Sequence, residues 1–113
     1  MMNLNKYFPI AQYKNGENIS GEGAYNRFGS RILPYLISVG GYSDTLGRIG
    51  TVLVGDENSP LHDDWSDFAM VYYPSQGNFI RMMTTSPKKG VYHRRVGLQR
   101  AVLMPGSVIP SGR

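Results

Sequence analysis

The apolar positions of this chain change their period along its length, and each change marks an element. A short first strand falls within "MMNLNKYF", followed by the loop "NGENISGEG". The next segment, "EGAYNRFGSRILPYLISV", has helical spacing. At about 100° per residue, Ala24, Tyr25, Phe28, Ile32, Tyr35, Leu36 and Val39 fall on one stripe. Ser20 is placed to cap this helix, with Glu22 in its first turn, where a negative charge suits the dipole. Pro34 lies on the opposite, wet side, so it bends the helix without entering the core. Gly40-Gly41 ends it. "RIGTVLVG" reads as a second strand, with Ile49, Thr51 and Leu53 on one side and Gly50, Val52 and Val54 on the other. After the acidic loop "DENSPLHDDW", "DFAMVYY" reads as a third strand, with Ala69, Val71 and Tyr73 opposed to Phe68, Met70 and Tyr72. Pro74 stops it, and Ser75 caps a helix over "QGNFIRMMT". Ser86-Pro87 starts a further helical piece, "KKGVYHRRVGLQR", as cap and first position. "AVLM" is the fourth strand, and "PGSVIPSGR" is a loose tail.

Strand, helix, strand, strand, helix, strand is the order of the ferredoxin-like split βαβ motif. The expectation is an α+β protomer over residues 1–104, with helices on one face of an antiparallel sheet, and a tail over 105–113. Strands two and three read as apolar on both sides, so the face away from the helices also needs cover. Two sheets packed face to face supply it, and the expectation is a homodimer forming a dimeric α/β barrel.

Composition narrows the classes. The chain has 113 residues, 41% hydrophobic and 18% charged, the balance of one ordinary globular domain. With no cysteine, disulfides and thiolate metal sites are excluded. No run approaches the roughly 18 apolar residues of a membrane span. No basic segment followed by an apolar run opens the chain, so a cytoplasmic location and no membrane are expected. All eight acidic residues lie in positions 1–67; seven of the twelve basic ones follow. That asymmetry suits a small-anion site or a basic dimer face. Nucleic acid is disfavoured, because tyrosines and basic residues do not interleave as in single-strand binders.

From Asn3 onward the chain resembles domain-of-unknown-function family 1330, small and mostly bacterial proteins. The resemblance rests on Asn3-Leu4 in the first strand, on "SGEGAYNRFG", on "VGG" at the helix end, on "WSDFAMVYYPSQGNFIRMMTTSP" and on "HRRVGL". There are departures: only Met1 and Met2 precede Asn3, Asn5 and Lys6 make the first strand more polar, and Lys88-Lys89-Gly90 stands where the family often has a Tyr. They bear on the pocket entrance, not on the fold. The resemblance implies a dimeric α/β barrel with a cleft between sheet and helices, and no established reaction. Related barrels include cofactor-free monooxygenases, polyketide cyclases, aldoxime dehydratases and heme-degrading enzymes, an analogy of fold alone.

Candidate chemistry gathers in "VYHRRVGLQR". On the wheel Val91, Arg94 and Leu98 share a face flanked by Gly90 and Gly97, glycines that would let this helix approach the sheet. Arg94 therefore aims inward, His93 stands nearer the cleft edge, and Arg95, Arg100 and Lys89 are solvated. Arg94 either ties helix to strand through Asp67 or Glu22, or clamps a substrate carboxylate or enolate. His93 is a surface residue, a general base, or a heme or metal ligand. Asn3 orients a ligand or satisfies neighbouring backbone. Tyr25 and Tyr35 are core or cavity lining. Tyr72 and Tyr73 point to opposite faces, so one of them, Tyr73, is a lining candidate; Trp65 is another. "LHDDW" lacks a second ligand cluster, so no metal is expected, and no nucleotide or nucleophile-elbow motif occurs. The expectation is a cofactor-independent cyclase, isomerase, dehydratase or monooxygenase acting on an apolar or aromatic acidic molecule. His93, Arg94 and Asn3 would be catalytic, and Tyr25, Tyr35, Tyr73 and Trp65 would hold the substrate. The alternatives are a non-catalytic binding or sensing protein and a heme-handling oxygenase.

Overall fold

A computed structural model describes residues 1–50 and 55–107. Its elements are β1 (Met2–Tyr7), α1 (Gly21–Ser38), β2 (Tyr42–Arg48), β3 (Asp67–Tyr72), α2 (Gln76–Thr85), α3 (Lys88–Gly97) and β4 (Leu98–Met104). The four strands form one antiparallel sheet in the order β2-β3-β1-β4, an α+β ferredoxin-like arrangement. Among the described residues no helix is long and apolar enough to cross a membrane.

Local signals set the helix ends. The Ser20 hydroxyl accepts from the Gly23 amide at 3.0 Å, and Glu22 occupies the first turn. At the far end Gly40 takes φ +77°. Its amide reaches the Ile37 carbonyl while that of Gly41 reaches Leu36, the paired bonds of a Schellman cap. Pro34 is exposed, as its place on the wheel requires. Ser75 accepts from the Asn78 amide at 3.2 Å and starts α2. Ser86 acts otherwise than expected. Its hydroxyl donates back to the Met82 carbonyl and finishes α2, so Pro87 stands at the N-cap of α3 and no side chain caps that helix.

Two strands are displaced from their expected places. β2 is Tyr42–Arg48 rather than "RIGTVLVG"; Ile49 and Gly50 lie beyond it, and Thr51–Val54 fall outside the described residues. Among the described residues β2 is an edge strand of mixed polarity, bonded to β3 alone, and it is not apolar on both faces. β4 starts at Leu98, three residues early, because α3 stops at Gly97.

The glycines of α3 face a different neighbour than expected. Gly97 abuts Gly21 of α1, and a Cβ on Gly90 would touch Arg31 of α1 at 3.4 Å. They bring α3 onto α1, not onto the sheet. The loop between β1 and α1 is stitched to this contact: Phe8 and Gln12 amides donate to the Gly97 and Val96 carbonyls, each at 2.9 Å. Ala11, Ala24 and Val96 form the small core beneath it. A second core, Leu36, Val39 and Met82, joins α1 and α2 to the sheet through Val71 and Tyr73.

Register sorts the two sheet faces. Asn3, Asn5 and Tyr7 alternate with Met2, Leu4 and Lys6 along β1, and Asn3 pairs with Ala69, Asn5 with Asp67. The odd positions look toward the helices. The other face carries Met2, Leu4, Met70, Met104 and the Tyr42–Tyr72 pair, whose ring centroids are 4.9 Å apart. Met70, Tyr72 and Tyr42 are 38%, 45% and 54% exposed. One end of this face is covered, where Lys6 and Arg100 both bind Asp63, at 2.6 and 2.8 Å.

Candidate functional site

Between the helices and the sheet lies a cavity of about 580 Å³. Its apolar walls come from the stripe of α1 and from α2: Phe28, Ile32, Leu36, Phe79 and Met82. Phe28, Ile32 and Leu36 are part of the helical stripe by which α1 faces the sheet, and α2 adds the other two. The polar part of the lining is laid along β1 and β3. Period-two alternation in "NLNKY" puts Asn3, Asn5 and Tyr7 side by side on the helix-facing surface, and register brings Asp67 next to Asn5.

Asp67 is held from two directions. Its Oδ1 accepts from Asn5 Nδ2 at 2.9 Å, and its Oδ2 accepts from the Tyr7 hydroxyl at 2.6 Å. Asn5 is 2% exposed. Burial pushes the Tyr7 hydroxyl well above its ordinary value, and the bond to Asp67 adds to the rise. The Tyr25 ring packs at a tilt of 53° against Tyr7, with ring centroids 5.4 Å apart. Burial raises its hydroxyl as well, the positive charge of Arg94 pulls it down, and the charge of Asp67 adds to the rise. Tyr25 thus senses both charges while keeping its proton at neutral pH.

Arg94 enters the lining from α3, on the same face as Val91, as the wheel requires. Neither carboxylate expected to tie it down does so. Glu22 accepts from Arg48 at 3.0 Å, and Asp67 is taken by Asn5 and Tyr7. Among the described residues no ion pair involves Arg94. Asn3 also lines the cavity, and its Oδ1 is buried with no hydrogen-bond partner among the described residues. Tyr73 completes the set from just beyond β3, its hydroxyl raised by burial and donating to Met82 Sδ at 3.6 Å.

Four of the expected residues therefore meet in one place: Asn3, Tyr25, Tyr73 and Arg94. Three do not line the cavity. His93 turns toward the β1–α1 loop, where its Nδ1 is 2.5 Å from the Tyr13 hydroxyl. It sits one position from Arg94, and a single helical step carries it off the cavity face. Tyr35 packs into the second core. Trp65 is 7% exposed; its Nε1 donates to the Leu61 carbonyl at 2.8 Å, and Arg100 lies over its ring at 4.8 Å. Sequence reasoning passes over Asn5 and Tyr7, and it takes Asp67 only as an anchor for Arg94. The signal is present as polar residues on alternate positions of a strand, three of which share one face. Among the described residues no cluster of three or more His, Asp or Glu has the spacing of a metal site.

In chemical terms the cavity offers an uncommitted guanidinium, a protonated phenol and two hydrogen-bond acceptors, Asn3 Oδ1 and the Asp67 carboxylate, around an apolar chamber. No protein-family model and no curated protein matches the chain. Two crystal structures do. Both are of RPA0582, a protein of unknown function from Rhodopseudomonas palustris, one in methylated form. The methylated form aligns with a TM-score of 0.79 at 26% identity, over 99% of this chain and 81% of its own. The other gives 0.76 at 26%, over 96% and 81%.

Proposed function

We propose that this chain is a homodimeric, small-molecule-binding barrel protein of the kind family 1330 comprises. Its cleft takes an apolar or aromatic molecule bearing an acidic or enolisable group, and acts on it without a cofactor. One observation carries the reading: Arg94 lines an apolar cavity with no carboxylate partner among the described residues. A guanidinium in such a place is complementary to a ligand anion. In the proposed chemistry Arg94 holds the carboxylate or enolate, Asn3 orients the ligand, the Asp67 carboxylate takes the proton that leaves carbon, and Tyr25 donates to the carbonyl oxygen. His93, expected from the sequence to move protons or to ligate heme, faces Tyr13 instead. The dimer is supported by the exposed apolar row on the outer sheet face, which a second copy of that face would cover.

The non-catalytic reading is favoured by the state of Asp67, whose two oxygens are each already engaged. Phenylpyruvate, an enolisable aromatic acid, separates the two. Binding is followed by calorimetry and exchange of its methylene protons for deuterium by NMR. Exchange above the buffer rate that disappears in Tyr25→Phe supports an enzyme. Binding without exchange leaves a binding protein. No binding by phenylpyruvate or by benzoate overturns the function.

A further inference from the structure

The cavity holds one cation and one anion that do not meet. Arg94 enters from α3 and Asp67 sits on β3 between Asn5 and Tyr7. The lining's other charged pair, Arg48 and Glu22, is already neutralised within itself. Beside Asp67, one pair of positions along β1, lies Asn3, whose Oδ1 is buried with no partner among the described residues. A buried acceptor without a donor is costly, and such an atom in a cavity wall is most simply answered by the cavity's occupant. The sheet side of the chamber is thus rich in acceptors, while the α3 side carries the cation. A ligand that satisfies both has an anion at one end and a hydrogen-bond donor at the other.

Resting on the binding function proposed above, we propose that the ligand is a hydroxylated carboxylic acid with an aromatic or alicyclic body. Its carboxylate meets Arg94, and its hydroxyl donates to Asn3 Oδ1, with the Asp67 carboxylate as the neighbouring acceptor. The body lies against Phe28, Ile32, Phe79 and Met82. A plain acid would leave Asn3 orphaned, and an ether in place of the hydroxyl would set one acceptor against another. A site built to bond a hydroxyl discriminates strongly against the analogue that lacks it, because its own polar group is then left unpaired.

The probes are benzoate, the three hydroxybenzoate isomers and their methoxy counterparts, measured by calorimetry on the intact chain. At least one hydroxybenzoate is expected to bind about tenfold or more tightly than both benzoate and its methoxy analogue. Asn3→Leu is expected to reduce that advantage to about threefold or less. Benzoate binding with no preference for any hydroxyl isomer overturns the inference and leaves the anion site standing. A preference that survives unchanged in a folded Asn3→Leu overturns the role of Asn3. Failure of every acid to bind overturns the anion site itself. The comparison of hydroxyl with methoxy needs no variant, so it decides the matter even where Asn3→Leu does not fold.

Discussion

Gly97 of α3 faces Gly21 of α1 across a gap that admits no side chain. A Cβ on Gly97 would stand 2.5 Å from the Gly21 carbonyl oxygen and 3.1 Å from the Tyr25 amide nitrogen. Both obstacles are backbone, and the helix that carries them also carries the cavity wall. Gly97→Ala should therefore cost about 3 kcal/mol, the upper part of the range for overpacking. Gly29, inside α1, is the contrast: a methyl placed there would meet nothing within 4 Å. Gly29→Ala should gain about 0.5–1 kcal/mol from helix propensity and a less free unfolded chain. Urea unfolding of the two variants measures both; equal effects would remove the close helix contact.

Much of this framework is legible in the sequence, for physical reasons that differ from place to place. The stripe of α1 is long enough for its period to be unambiguous, and Ser20 and Gly40 act through bonds local to the chain. The inward turn of Arg94 follows from its spacing to Val91. β2 is not legible. "YSDTLGR" has little apolar alternation because an edge strand is mostly exposed, whereas "RIGTVLVG" has the composition of a strand. The glycines of α3 mark a close approach without saying to what. His93 shows the finest limit: adjacent helical residues diverge by a quarter turn, and only the loop packed over α3 reveals which side that turn reaches.

Arg94 and Arg95 differ sharply in what they touch. Arg95 is exposed, with its guanidinium 5.3 Å from the centre of the Tyr92 ring. Arg95→Ala should stay within about 0.5 kcal/mol in stability and leave benzoate affinity unchanged. Arg94 has no described ion pair to lose, so Arg94→Ala should also melt near the wild-type temperature while benzoate affinity falls about tenfold or more. A large loss of stability in Arg94→Ala with binding intact would return Arg94 to a structural role.

Asp63 ties the loop before β3 to the outer sheet face. Lys6 holds its carboxyl well below the usual carboxylate range, Arg100 acts in the same direction, and the Asp64 amide adds to both. A carboxyl lowered in the folded state contributes stability that is complete above its unfolded value, about 3.9, and is lost as pH falls toward the folded one. The gap in melting temperature between wild type and Asp63→Asn should be widest at neutral pH and narrow below about pH 4. A gap that stays constant down to about pH 2.5 would show that the ion pairs do not form.

The outer face gives the dimer its test. Met70 sits in the middle of the exposed row, opposite Met2 on the neighbouring strand. Light scattering at micromolar concentration should give twice the 12.6 kDa chain mass. Met70→Lys places a charge in the proposed interface, where an unpaired desolvated ammonium is strongly unfavourable, and should yield monomer or aggregate. A wild-type protein that stays monomeric at that concentration removes the dimer.

His93 anchors the β1–α1 loop rather than the cavity, and its titration should report on that loop. Its Nδ1 meets the Tyr13 hydroxyl at 2.5 Å, and the Tyr13 ring lies beneath Arg27, itself paired to Glu17 at 2.6 Å. The neutral imidazole accepts the tyrosine proton; the charged one has no lone pair to offer. Burial lowers the His93 pKa, the charges of Arg31 and Arg27 lower it further, and Glu17 opposes them. The folded value therefore lies below the unfolded one of about 6.5. As pH falls through that value the unfolded chain takes up its proton first, so stability is complete above it and declines toward the folded pKa. The melting temperature of wild type should fall more than that of His93→Leu between about pH 7.5 and pH 5, and Tyr13→Phe should weaken the loop at neutral pH without touching benzoate affinity. Parallel pH profiles for wild type and His93→Leu would show that the imidazole keeps its ordinary pKa and that the bond to Tyr13 is not what holds the loop.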